Sequence, residues 1–82
     1  MTKYSALRLE VDYSNGRRRK FVIVPADGDN ARRLSDELAE KLAHEAFHTR
    51  GGSVVILISH MPITVRKPAD FTANGSMIWE EK

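Results

Sequence analysis

Leu7, Leu9, Val11 and Tyr13 alternate with Arg8, Glu10 and Asp12, the period-two pattern of a strand with one buried face. Residues 21–24 (Phe-Val-Ile-Val) supply an apolar partner beyond a turn signal at Asn15-Gly16. Loop length decides which side chains share a face. A two-residue loop would set Phe21 and Ile23 among Arg8, Glu10 and Asp12. A three-residue loop, Ser14-Asn15-Gly16, puts Gly16 in the left-handed position of a bulge turn. It then pairs Leu9 with Phe21 and Leu7 with Ile23, and sets Asp12 opposite Arg18 and Glu10 opposite Lys20. This register satisfies core and charges together, so it is the one expected.

Pro25-Ala26-Asp27-Gly28 breaks the strand, and Asp29 or Asn30 can cap a helix. Ala31, Leu34, Leu38, Leu42 and Ala46 recur at helical spacing, with Ala39, Ala43 and Phe47 widening the stripe. Gly51-Gly52 ends the helix. The uniform apolar run Val54-Val55-Ile56-Leu57-Ile58 predicts a strand within 53–59 at the centre of the sheet. Met61-Pro62 then predicts a turn, 63–66 a fourth strand, 68–75 a loop and 76–80 a short fifth strand. The expected fold is α+β, with a β-hairpin, one amphipathic helix and two or three further strands. The helix would pack on one face of a sheet of four or five strands. This ββαββ(β) order is shared with β-grasp folds, a likeness that carries no function. All 82 residues are expected to form one small domain.

Composition narrows the setting. The chain has no cysteine, so disulfides and thiolate metal sites are excluded. The N-terminus has no apolar signal core, because Arg8, Glu10 and Asp12 interrupt it, and the longest apolar run is far too short to span a bilayer. A cytoplasmic location is the expectation. Residues 1–25 carry six Lys/Arg and two Asp/Glu, a balance of +4; the remainder carries seven and nine, a balance of −2. Such asymmetry points to an interaction face.

The cations of the first part are concentrated in Arg17-Arg18-Arg19-Lys20, just after the turn. A cationic hairpin tip suits a polyanionic partner, either nucleic acid or a nucleoprotein complex. An up-and-down strand order would bring Arg50, Arg66 and Lys67 to the same pole, with Tyr13 as a stacking or packing element. Arg18 and Lys20 have Asp12 and Glu10 opposite them. Arg17 and Arg19 have no carboxylate expected opposite, so the polyanion reading rests on these two.

His44-Glu45-Ala46-Phe47-His48 matches H-E-x-x-H, two histidines one helical turn apart that can share a zinc, with a glutamate to activate water. The third ligand of the longer pattern falls at Val54, and His60 belongs at the far end of the next strand. Asp27-Gly28-Asp29-Asn30 resembles the start of a calcium loop, but Leu38 stands where the bidentate glutamate belongs. No glycine-rich loop precedes a helix, and no spacing singles out a triad. These features favour a non-enzymatic binding module with no cofactor. The alternatives are a protein-binding inhibitor or adaptor docking through a sheet edge or near Trp79, and a metal site at His44, Glu45 and His48. Phage-encoded inhibitors of host defence, including anti-CRISPR proteins, are one home for the inhibitor reading.

Overall fold

A computed structural model describes residues 4–26, 28–48, 53–66 and 75–81. Strand β1 (Tyr4–Tyr13) and strand β2 (Arg18–Val24) form the hairpin, followed by helix α1 (Ala31–His48), strand β3 (Val55–Val65) and strand β4 (Met77–Glu81). The four strands make one sheet in the order β3-β1-β2-β4, antiparallel throughout. The expected α+β architecture is therefore found, with β3 and β4 flanking the hairpin on opposite edges.

The hairpin takes the three-residue loop. Tyr13 N–H donates to the Arg17 carbonyl at 2.9 Å, and Gly16 N–H donates to the Tyr13 carbonyl at 3.0 Å. Gly16 has φ 86°, a left-handed conformation that glycine adopts without a Cβ penalty. The register pairs Leu7 with Ile23, Leu9 with Phe21, Glu10 with Lys20 and Asp12 with Arg18. Asn30 caps α1: its side-chain oxygen accepts from the N–H groups of Arg32 (2.9 Å) and Arg33 (3.3 Å).

The helix lies on one face of the sheet. There Leu9, Val11, Tyr13, Phe21 and Ile23 pack with Ala39, Leu42 and Ala46, and Leu34, Leu38, Val55 and Ile58 border them. Phe47 does not join this core and is 76% exposed. At about 100° per residue, it is turned away from Ala46 and beyond the contact stripe, which is centred on Ser35, Ala39, Leu42 and Ala46. On the other face, Ala6, Val22, Val24 and Met77 form a second cluster with Tyr4, Ile63, Val65 and Trp79.

Strand β3 departs most from expectation. It is one continuous strand through Met61-Pro62, and it lies at the edge of the sheet rather than its centre. Backbone orientation explains how Pro62 fits. The backbone of Tyr13 faces β2, so strand alternation turns that of Arg8, Glu10 and Asp12 toward β3. Their partners Met61, Ser59 and Leu57 face β1 in turn. Ile58, His60, Pro62 and Thr64 therefore present their backbone to the free edge. The N–H that proline lacks is one the ladder never uses. The expected central position fell to β1, whose charged residues on the open face are satisfied by cross-strand partners.

Candidate interaction surfaces

The cations at the hairpin tip are largely matched by acids. Arg18 Nε lies 2.8 Å from Asp12 Oδ1, and Lys20 Nζ lies 3.9 Å from Glu10 Oε1. Two further pairs come from β4, which runs beside β2 and carries its acids toward the tip. Arg19 Nε donates to Glu80 at 3.1 Å, and Arg8 Nε donates to Glu81 at 2.8 Å. The guanidinium of Arg19 also sits 4.9 Å from the centroid of the Phe21 ring. Its hydrogen bond to Glu80 raises its pKa further, against the effect of its burial. The same bond holds the Glu80 carboxyl below the usual carboxylate range. Arg19 thus has a carboxylate partner that the hairpin register alone does not supply.

These five cations, Arg8, Arg17, Arg18, Arg19 and Lys20, face four carboxylates, Glu10, Asp12, Glu80 and Glu81. Surface pairs of this kind add only about 0–1 kcal/mol each to stability, but they neutralise the field a polyanion would meet. Arg17 is exposed, and among the described residues its side chain forms no hydrogen bond or ion pair.

Of the wider basic pole, Arg66 does not join the hairpin tip as expected. Val55 pairs with Tyr13 at the tip end of the sheet, whereas Val65 pairs with Tyr4 at the other end. Arg66 follows Val65 and so lies about 30 Å from the tip, at roughly 3.3 Å per residue. The unbroken course of β3 through Pro62 carries it there. Arg50 and Lys67 fall outside the described residues. Tyr13 is 8% exposed and packed into the core under the helix, so it offers no open ring for stacking.

His44 and His48 lie on the exposed last turns of α1 with ring centroids 4.4 Å apart. Among the described residues, no group of three His, Asp or Glu side chains could hold a metal ion. His60 is occupied elsewhere: its Nδ1 lies 2.7 Å from Ser35 Oγ, and its Nε2 lies 3.6 Å from Asp36 Oδ1. Ser35 is fully buried, so this Ser-His-Asp cluster offers no accessible nucleophile and serves as a clasp between α1 and β3. The sequence signal for it was a small polar residue, Ser35, one turn from both Ala31 and Ala39 on the packing stripe. In the calcium-like segment Asp27 lies outside the described residues; Asn30 caps the helix, and Ser76 Oγ donates to Asp29 Oδ2 at 2.5 Å while accepting from Ala26 N–H at 2.9 Å.

Among the described residues no strand pairs with the outer edge of β3, and this free edge is the more distinctive surface. Ile56 is 65% exposed, Leu57 54% and Met61 38%. No Lys, Arg, Asp or Glu occurs from Ser53 to Val65, so the edge has none of the charged side chains that commonly block strand addition. The opposite edge, β4, has five residues and carries both Glu80 and Glu81. Phe47 and Val54 add exposed apolar surface in the last helical turn and just before β3.

The fold and this edge define a small antiparallel α+β protein in which one long, uncharged edge strand is unpaired on its outer side among the described residues. Comparisons with protein-family models, with curated proteins and with solved structures find no match.

Proposed function

We propose that this chain is a non-enzymatic protein-binding module, an inhibitor or adaptor, that receives an extended strand along the free edge of β3. The observation that carries this reading is the uncharged edge from Val55 to Val65, with Ile56, Leu57 and Met61 exposed on it. Backbone groups at Ile58, His60 and Thr64 would supply ladder hydrogen bonds, and the exposed side chains would supply apolar contact. Apolar groups exposed together along one strand, rather than singly, are the kind of surface that marks an interaction site.

A second reading keeps the polyanionic partner, nucleic acid or nucleoprotein, at the hairpin tip. Arg17 favours it, as an exposed cation with no ion pair among the described residues, and Arg18 and Lys20 flank it with exposed side chains. The two readings separate in one experiment. Tagged wild type, Leu57→Lys and Arg17→Ala/Arg18→Ala are used as baits in cells that encode the chain, with and without nuclease. Loss of a specific partner with Leu57→Lys, and retention with the arginine variant under nuclease, is the expected result. The reverse pattern would return the function to the basic tip.

A further inference from the structure

Resting on the reading of β3 as a docking edge, we infer that the strand it receives is β3 of a second copy of this chain. The exposure of β3 is symmetric about Ser59. Within 57–61, Ile58 and His60 are both half-buried and Leu57 and Met61 are both exposed; beyond Leu57 a register shift at Asp12/Tyr13 inserts Ile56 as an extra residue. A two-fold interface requires a surface complementary to itself, with residue i meeting j and j meeting i. An antiparallel β3–β3′ pair with its axis through Ser59 meets that requirement. It sets Leu57 against Met61 of the second copy, and Met61 against Leu57, so these exposed apolar side chains gain apolar neighbours.

The backbone fits the same register. Ile58 and His60 both face the free edge, so each would exchange two hydrogen bonds with the other across the axis, four in all. Pro62 has no N–H to give, and the register shift at Ile56 ends the regular ladder on the facing strand, so the four bonds of Ile58 and His60 carry the pairing. Charge fits as well. A two-fold axis places any charge near it against its own image, and β3 carries no Lys, Arg, Asp or Glu along its length. The product is one continuous eight-stranded antiparallel sheet, with both helices on the same face.

Ser59 would meet its own image in a non-hydrogen-bonded pair, where Cα atoms lie about 4.5 Å apart, within disulfide range. The chain has no native cysteine, so a single substitution reports on the register. Sedimentation equilibrium of the wild type should give twice the 9.3 kDa chain mass. Under mild oxidation Ser59→Cys should cross-link to a dimer. Thr64→Cys should not, because its image would lie about 30 Å away at 3.3 Å per residue. Leu57→Lys should weaken self-association at least tenfold while keeping the circular dichroism of the wild type. If that variant fails to fold, the comparison of Ser59→Cys with Thr64→Cys still decides. A wild type that stays at 9.3 kDa up to millimolar concentration, or equal cross-linking at both positions, overturns the inference. A monomer that still loses a protein partner on Leu57→Lys overturns self-pairing alone and leaves the docking edge standing.

Discussion

Ser35 Oγ and His60 Nδ1 lie 2.7 Å apart, joining the N-terminal part of the packing face of α1 to the midpoint of β3. Ser35 is fully buried, so its hydroxyl has no access to solvent. Removing one partner of a buried hydrogen bond leaves the other unmet, at a cost of about 1–3 kcal/mol. Ser35→Ala should lower stability by that amount in urea unfolding. An unchanged midpoint would show that the clasp contributes nothing.

His60 should also make stability depend on pH. Burial first, and then the nearby Arg32, push its pKa below the ordinary histidine value, while Asp36 opposes them. Above about pH 6.5, the ordinary value, the imidazole is neutral in folded and unfolded chains alike, and stability is full. As pH falls through that value the unfolded chain takes up a proton first, so stability declines until folded His60 is protonated too. Chemical unfolding between pH 7.5 and 5 should show this decline, and His60→Gln should flatten it. A slope unaltered by His60→Gln would assign the dependence to other groups.

Arg19 is held by Glu80 rather than left free for phosphate. Glu80→Gln should release it. Binding to duplex DNA, measured as log affinity against log salt, steepens by about 0.9 per phosphate neutralised. The variant should show a slope steeper than the wild type by about that amount, with stability changed by no more than about 1 kcal/mol. An identical salt slope would mean that Arg19 stays out of reach of phosphate even when unpaired.

The turn at Gly16 depends on its φ of 86°. An added Cβ would meet no neighbouring atom, so any penalty of Gly16→Ala arises from backbone conformation alone. The left-handed region costs a non-glycine residue about 1–2 kcal/mol. Thermal unfolding should show a loss of this size with the hairpin register intact. A neutral result would imply that the turn relaxes to another type.

Short-range chemistry made much of the fold readable. The alternation of Leu7 to Tyr13, the position of Gly16 and the Asn30 cap each depend on a few neighbouring residues, and each is found as expected. Strand order was harder to read. The run from Val54 to Ile58 resembles a central strand, because composition alone does not tell burial under a helix from exposure at an edge. Pro62 resembles a break, because its missing N–H matters only when the ladder needs it. A turn expected at Pro62 would have brought Arg66 back to the tip, whereas the continuous strand carries it to the other end of the sheet. The pairing of Arg19 with Glu80 spans 61 positions, so no local pattern in the hairpin could reveal it.

The two edges of the sheet differ in how far they allow it to grow. β3 offers eleven residues without a charged side chain, whereas β4 offers five and ends in two glutamates. Joining β3 of one molecule to β4 of the next would repeat without closing and build a filament, but the short acidic edge opposes that contact. Pairing β3 with β3 uses up the long edge on both molecules and leaves only β4 at either end. The inequality of its edges therefore acts as a counting device, ending assembly at two and keeping an exposed sheet from seeding fibres.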